Sequence, residues 1–193
     1  MRLRSLAIVV ALATILTACG IPVGSQPSVV NSHDVPFHLL SPVAPTSTTT
    51  TEPAVTYVPE SIYLLGASGA VVVVQRDVAF PATLDAVVTS LIAGPTTQEV
   101  AAGFTTALPS TGKVLSTSLT GSVATLNLST AFGQIGGASE TVAVGQLVLT
   151  TTSQPGITAV SFEINGNPIS VPTANGAVTA QPVTAAQYQT LLG

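Results

Sequence analysis

From residue 57 onwards, apolar and polar positions follow the periods of strands and helices. Ser61–Leu65 and Ala70–Arg76 are runs of strand-forming residues, and Gly66-Ala67-Ser68-Gly69 between them predicts a hairpin turn. Beyond Pro81, apolar residues recur at i, i+3, i+4, i+7 and i+8, which is one face of a helix. These positions are Leu84, Val87, Val88, Leu91 and Ile92. The pattern predicts a hairpin and then an amphipathic helix that ends at Gly94-Pro95.

The segment after this helix predicts a short helical turn and a second hairpin. Thr96-Thr97-Gln98-Glu99 fits a capping box, in which the first and last side chains each accept a backbone hydrogen bond. The turn that it starts reaches about Gly103. Lys113–Leu119 and Val123–Leu128 both alternate in polarity and flank Thr120-Gly121-Ser122, so we expect an antiparallel pair there.

The last third of the chain contains one ambiguous segment. Ser139–Thr151 has apolar residues at helical spacing, but Gly145 and a run of threonines weaken that pattern. Ile157–Ile164 predicts a strand, Asn165-Gly166 a tight turn, and Pro168–Val171 a returning strand.

A short terminal helix over Thr184–Leu192 completes the pattern. With the ambiguous segment counted as a helix, the main elements follow the order ββαββαββ. Hairpins with interspersed helices favour the α+β class. We therefore expect a mixed, mainly antiparallel sheet with two helices packed on one face.

The N-terminus has the pattern of an exported and lipid-anchored protein. Arg2 and Arg4 precede Leu6–Leu16, an apolar run of eleven residues. A membrane-spanning helix needs about 20 such residues, so the run fits a secretory signal. It ends in Leu16-Thr17-Ala18-Cys19, which resembles the bacterial lipobox. The resemblance implies cleavage before Cys19 and diacylation of its sulfur; the alternative is an incidental cysteine at the end of an ordinary signal peptide.

These features divide the chain into three predicted parts. Residues 1–18 are a lipoprotein signal peptide, residues 19–56 a lipidated cysteine and a Pro/Thr-rich tether, and residues 57–193 a globular domain. Since two acyl chains give stable anchoring, we expect the protein at the extracytoplasmic face of the cell membrane. Cys19 is the only cysteine, so a disulfide within the chain is impossible. His33 and His38 lie in the tether, away from any fixed scaffold, and we expect no metal site there.

Charge excludes one class of partner. Only 6% of residues are charged, and the four bases are Arg2, Arg4, Arg76 and Lys113. After removal of a signal peptide, two bases would remain against eight acidic residues. Nucleic-acid binding needs clustered bases that neutralise phosphates, so we expect no nucleic-acid partner.

The predicted domain offers few catalytic groups. It has no histidine, which excludes a Ser-His-Asp triad. Asp85, Glu99 and Glu140 suit helix starts, and Asp77 next to Arg76 suits a surface ion pair. The glycine-rich segment 133–137 lacks the lysine of a phosphate-binding loop and is interpreted as a flexible connection. We predict no catalytic residue, no cofactor and no metal.

Several motifs in order resemble the sporulation and spore germination (GerMN) domain over residues 58–170. They are Val72–Arg76, Leu91–Thr96 with Glu99, Ala107–Pro109, Leu126–Ser129, Gln146 with Thr150, and Val160–Gly166. The family-motif positions that we single out as structural are Gly94, Pro95, Thr96, Glu99, Pro109, Asn127, Ser129, Gln146 and Gly166. Asn127 and Asn165 stand where the family usually carries aspartate.

The resemblance implies a single, membrane-attached, extracytoplasmic domain without a catalytic residue set, as in lipoproteins of non-sporulating actinobacteria. The family fold resembles small α/β modules that pack side by side into rings. We therefore expect a non-catalytic lipoprotein that mediates protein interaction, with another envelope protein or by self-association. Two alternatives stay open. One is a binding module for a small ligand, lipid or cell-wall glycan; the other is an enzyme of envelope polymers, which would need converging carboxylates such as Glu60 and Glu163.

Overall fold

Residues 55–193 are described by a computed structural model. The predicted signal peptide, Cys19, His33, His38 and the tether up to residue 54 lie outside the described residues. The strands are β1 Tyr57–Leu65, β2 Val71–Ala79, β3 Val114–Thr120, β4 Val123–Leu128, β5 Ala159–Ile164, β6 Asn167–Pro168, β7 Val171–Pro172 and β8 Val178–Thr179. The α-helices are α1 Leu84–Ile92, α2 Thr97–Ala101 and α3 Ala138–Thr152, and 3-10 helices span Thr130–Gln134 and Ala185–Leu191.

The strands of the described part form three sheets. β1 and β2 make an antiparallel hairpin, β3-β4-β5-β6 a four-stranded sheet, and β7-β8 a short antiparallel pair. Within the larger sheet only β4 and β5 run parallel, and a parallel pair requires a crossover connection. Helix α3 lies in that crossover. The α+β class with mainly antiparallel strands is confirmed, and the division into three sheets is added by the tertiary structure.

Helix α1 forms as its sequence predicts. Thr83 caps it, with Oγ1 accepting a hydrogen bond from the Ala86 N–H at 3.2 Å. Its apolar face is buried. It ends at Ile92 with Ala93 as its C-cap, and Gly94 follows with φ of 80°, a left-handed conformation that glycine adopts without strain.

The ambiguous segment is a continuous helix of 15 residues, α3. Every residue from 143 to 151 is buried, so the helix carries no polar face and its apolar periodicity is weak. Gly145, which argued against a helix, has a packing role. A Cβ at this position would lie 2.6 Å from Leu191 Cδ1 and 3.2 Å from Tyr188 Cδ1. The glycine therefore lets the terminal 3-10 helix approach α3 closely.

Helix α3 is the centre of the core. It packs against β1, β5, β7, α1 and the terminal 3-10 helix. Buried side chains from both larger sheets, such as Ile62 and Leu64 of β1 and Leu126 and Phe162 of the four-stranded sheet, join one cluster with it. The hairpin β1–β2 is thereby held to the rest of the domain by packing.

Two predictions about the C-terminal part have different outcomes. The tight turn at Asn165-Gly166 is confirmed, since these residues have φ of 49° and 75°. The predicted returning strand Pro168–Val171 is wrong in extent. Only Asn167–Pro168 pairs with β5, and Val171 belongs to β7, which pairs with β8. Between residues 55 and 193, none of the helices combines the length and the apolar character that crossing a membrane requires.

Candidate functional site

A buried ion pair joins β2 to α2. The Arg76 guanidinium donates to Glu99 through Nη2 to Oε2, and through Nε to Oε1 at 3.3 Å. A third donor, Arg76 Nη1, bonds the Ser90 carbonyl oxygen at the end of α1. The two side chains are only 10% and 11% exposed. This pair therefore ties together the hairpin, α1 and α2.

Glu99 has a second role in the capping box of α2, which is confirmed. Its Oε2 accepts from the Thr96 N–H at 2.6 Å, and its own N–H donates to Thr96 Oγ1 at 3.3 Å. Burial raises the pKa of Glu99, but the hydrogen bond from Thr96 and the hydrogen bonds and charge of Arg76 outweigh it, so the pKa lies below the usual value. The predicted Arg76–Asp77 surface pair is wrong, because the guanidinium points to Glu99 while Asp77 is exposed on the other face of β2.

Side chains of α3 cover the outer edge of β1. Gln146 Nε2 donates to the Tyr63 carbonyl at 2.9 Å, and the Tyr63 N–H donates to Thr150 Oγ1 at 3.0 Å. Gln146 and Thr150 lie one helical turn apart, so together they satisfy both backbone groups of one strand residue. Gln146 Oε1 also accepts from the Ala107 N–H at 2.8 Å. A buried amide thus replaces a neighbouring strand at this edge.

The same edge is closed on both sides of Tyr63. Leu65 and Thr105 exchange two backbone hydrogen bonds of 2.9 and 2.8 Å. Ser153 Oγ donates to the Thr150 carbonyl at 2.7 Å and also lies 3.3 Å from the Ser61 carbonyl. The outward-pointing backbone groups of β1 therefore belong to its odd-numbered residues, of which Tyr63 and Leu65 are bonded through both groups and Ser61 is contacted at its carbonyl.

The opposite edge of the hairpin, that of β2, is open. Residues 61, 63 and 65 of β1 face residues 75, 73 and 71 of β2, so these residues also direct their backbone groups outward. Only the start is covered, where the Gly193 N–H donates to the Val71 carbonyl at 3.2 Å. Within residues 55–193 no strand pairs with β2 on this side. We call the outward backbone groups of Val73, Gln75 and Asp77 the β2 edge.

The β2 edge lacks most of the features that normally prevent edge pairing. The strand is nine residues long, its pairing with β1 has no bulge, and it contains neither proline nor lysine. Its one basic residue, Arg76, is held by Glu99. Exposed apolar side chains lie close by, with Val73, Tyr57 and Phe80 at 53%, 59% and 66% exposure. A long, regular edge with exposed apolar side chains beside it is a site for pairing with another strand.

A cleft runs beside the β2 edge. It has a volume of about 350 Å³ and lies between β2 and the start of α2. Val74, Gln75, Arg76 and Asp77 form one wall, and Thr96, Gln98 and Glu99 form the other. The cleft therefore leaves space for those side chains of an added strand that point toward α2.

The remaining family-motif residues hold local structure at separate places. Gly94 and Pro95 connect α1 to the Thr96 cap of α2. The Pro109 carbonyl accepts from the Gly112 N–H at 2.8 Å, and Ser129 Oγ accepts from the Lys113 N–H at 3.1 Å.

Asn127 anchors the turn after β5. Its Oδ1 accepts from the Gly166 N–H at 2.9 Å, and its Nδ2 lies 3.4 Å from Ser116 Oγ. The amide oxygen thus supplies the acceptor that an aspartate would supply. Together with the contacts above, this shows that the motif residues do not converge on one catalytic cleft.

No group of three or more histidine, cysteine or acidic side chains lies together in residues 55–193. Glu60 lies on β1, where its Oε2 accepts from Gln154 Nε2 at 3.1 Å, and Glu163 lies on β5 of the other large sheet. A second cleft, of about 330 Å³, lies between the end of α1 and the start of β3. It is mainly apolar, with Lys113 as its charged residue.

Sequence analysis missed the two main features of this region. The pairing of Arg76 with Glu99 bridges 23 positions, and no local spacing indicates it. The β2 edge had a signal, the uninterrupted valine run Val71–Val74. The valine run alone does not indicate a binding site. The β2 edge is available because α3 covers the edge of β1 and leaves the edge of β2 open.

Comparison with known proteins agrees with the fold. Residues 61–170, more than half of the chain, match the family described as sporulation and spore germination (Germane), which confirms the resemblance inferred from the motifs. The tandem GerMN domains of the sporulation protein GerM from Bacillus subtilis are 21% identical with a TM-score of 0.57, over 71% of this chain and 50% of that one. The first GerMN domain of that protein is 20% identical with a TM-score of 0.52, over 67% and 98%. The chain thus spans about half of the tandem structure. No curated protein matches the chain.

Proposed function

The chain belongs to the sporulation and spore germination family, and from this premise we propose that it is a non-catalytic, lipid-anchored protein that binds other proteins of the cell envelope. The observation that carries the proposal is the open β2 edge. The domain binds by adding an extended segment of its partner to this edge.

Strand addition suits this edge for a physical reason. Backbone N–H and C=O groups of an extended partner pair with those of Val73, Gln75 and Asp77, and side chains alternate between the two faces of the enlarged sheet. On one face they cover the exposed Val73, and on the other they enter the cleft beside α2. Because α3 covers the β1 edge, the hairpin offers its partner one side only.

The anchor is supported by the N-terminal sequence. Arg2, Arg4 and the apolar run Leu6–Leu16 precede Cys19, whose lipidation would hold the mature chain at the outer face of the membrane. The tether that follows gives the domain room to meet envelope partners. The non-catalytic assignment is supported by a domain sequence without histidine and by the structural use of Glu99 in the ion pair.

The proposal is tested with the tagged full-length chain in the cell envelope. Partners are captured by crosslinking and identified by mass spectrometry for the wild type, Gln75→Pro and Gln75→Ala. Proline removes the outward N–H of Gln75 without removing a backbone hydrogen bond to β1, whereas alanine keeps that N–H. Both variants lose the side-chain hydrogen bond from Gln75 Nε2 to Ser61 Oγ, so alanine controls for that loss. We expect Gln75→Pro to lose the crosslinked partners and Gln75→Ala to keep them.

Two results would contradict the proposal. Identical crosslinked partners for Gln75→Pro and the wild type would show that the β2 edge takes no part in the interaction. A Cys19→Ser chain that stays in the membrane fraction as fully as the wild type would contradict the proposal that a lipid on Cys19 holds the protein at the membrane.

A second candidate function is the binding of an amphiphile in the cleft at the end of α1. Its mainly apolar lining and Lys113 suit an acyl chain with an anionic head, and its volume of about 330 Å³ is at the lower end for ligand pockets. Titration with a fluorescent fatty acid tests it. Saturable binding weakened by Lys113→Ala would favour this function over strand addition.

A further inference from the structure

We infer that the partner that adds to the β2 edge is β2 of a second copy of this chain, antiparallel and centred on Gln75. This inference rests on the proposed use of the edge for binding. The two copies would be related by a two-fold axis, so that each presents the same surface to the other. The combined hairpins would form one four-stranded antiparallel sheet.

The alternation of backbone groups restricts the register. Only the odd-numbered residues of β2 direct their backbone N–H and C=O groups away from β1. In a pairing with a second copy, each of them must therefore face an odd-numbered residue of that copy. Val71 is excluded because its carbonyl already accepts from Gly193. Centring on Gln75 places Val73 opposite Asp77 of the second copy and Gln75 opposite itself. The pairing ends there, because Ala79, the last outward-pointing residue of β2, would face the occupied Val71.

The side chains of β2 favour the same register over its neighbours. Shifting the centre to Arg76 would pair Val73 with Ala79, but it would place two long Arg76 side chains, each bonded to Glu99 of its own copy, directly opposite each other on the face that α2 covers. Shifting it to Val74 would direct Asp77 to the occupied Val71. With Gln75 at the centre, Arg76 faces Val74 and Asp77 faces Val73. No charged side chain then lies opposite one of the same sign.

Space and apolar surface fit a second copy. The cleft between β2 and α2 lies on the face where Val74 and Arg76 point, so it can receive the inward Val74 side chain of the second copy. On the outer face, pairing would cover the exposed Val73 of both copies. The edge carries one carboxylate, Asp77, and its only basic side chain is neutralised by Glu99, so it offers little to a highly charged partner.

Cysteine crosslinking in membranes that contain the full-length chain tests the register. Gln75→Cys places two thiols opposite each other, and mild oxidation is expected to convert most of the chain to a disulfide-linked dimer. Val73→Cys is the matched control, since the two thiols would lie roughly 13 Å apart, four residues along the strand. Val73→Cys in one copy with Asp77→Cys in the other should crosslink again.

A charge exchange tests whether the partner is a second copy. Two copies with different affinity tags are co-expressed, and the amount that co-purifies is measured. Gln75→Lys in both copies, or Gln75→Glu in both, is expected to lower co-purification about twofold to fivefold, because like charges face each other directly across the two strands. Gln75→Lys with Gln75→Glu is expected to restore it, which a merely misfolded variant would not do.

The outcomes separate this inference from the proposed function. Absence of Gln75→Cys dimers together with loss of captured partners by Gln75→Pro would overturn self-pairing and keep the edge as a site for a different protein. Dimers that form only after deletion of residues 40–54 would assign the edge to the preceding segment of the same chain, and would also overturn it. Dimers by both tests would support self-pairing even for a chain released from the membrane by Cys19→Ser.

Discussion

The Arg76–Glu99 pair offers the sharpest test of how the hairpin is held to the helices. Glu99→Gln keeps an oxygen that can accept from the Thr96 N–H, so the capping box survives while the charge is lost. Arg76 then remains nearly buried without a counter-charge. Breaking a fully buried pair costs about 3–5 kcal/mol. Since both side chains retain about a tenth of their exposure, we expect about 2–4 kcal/mol of unfolding free energy to be lost.

Denaturant unfolding of the purified protein measures this loss, and a double-mutant cycle with Arg76→Met isolates the pair. We expect a coupling energy of about 2 kcal/mol or more, because two hydrogen bonds here join opposite charges. Asp77→Asn is the matched control; it removes a neighbouring carboxylate that is exposed, and should change stability by no more than about 0.5 kcal/mol. A coupling energy near that of exposed pairs, below about 0.5 kcal/mol, would refute the reasoning.

The pH dependence of the same variant gives an independent check. The pKa of Glu99 is lowered in the folded protein. As the pH falls, the Glu99 carboxylate therefore becomes protonated in the unfolded chain before it does so in the folded protein. Stability from Glu99 is therefore complete above the unfolded pKa of about 4.3 and is lost as pH falls toward the folded pKa. The difference in unfolding free energy between the wild type and Glu99→Gln should therefore become smaller as the pH is lowered from about 7 to about 3. A difference that stays constant would contradict the lowered pKa.

Three further substitutions in the core have defined outcomes, each measured by denaturant unfolding. Gln146→Leu leaves backbone groups of Tyr63 and Ala107 without partners and should cost about 2–4 kcal/mol; a neutral effect would show that water replaces the amide. Gly145→Ala should cost about 0.5–2 kcal/mol net, because the methyl group must displace Leu191 and press on the Tyr188 ring, which outweighs the gain of about 1 kcal/mol in helix propensity; a stabilised variant would contradict that packing. Burial raises the pKa of Tyr188, so wild-type stability should fall as pH rises above about 10, and Tyr188→Phe should remove that fall while losing about 1 kcal/mol at pH 7. An unchanged alkaline profile in Tyr188→Phe would refute this assignment.

Local patterns predicted the elements that depend on neighbouring residues. The two N-terminal hairpin strands, α1 and the capping box at Thr96–Glu99 all formed, because turn glycines, cap side chains and apolar spacing act within a few positions of each other. Asn165-Gly166 formed its tight turn for the same reason. Helix α3 was ambiguous, since a helix buried on all sides has no polar face to mark its period.

The sequence by itself determined the family and the order of the first two hairpins and of the helix between them, because each depends on motifs or short-range spacing. The lipid anchor at Cys19 stays a prediction from the N-terminal sequence. The tertiary structure decided which groups meet across the chain. It paired Arg76 with Glu99 and not with Asp77, and it placed Gln146 and Thr150 against β1. β1 lacks one outward backbone donor, at Pro59, and otherwise both hairpin strands carry the same donors and acceptors, so the packing of α3 along β1 decides that β2 is the edge left open.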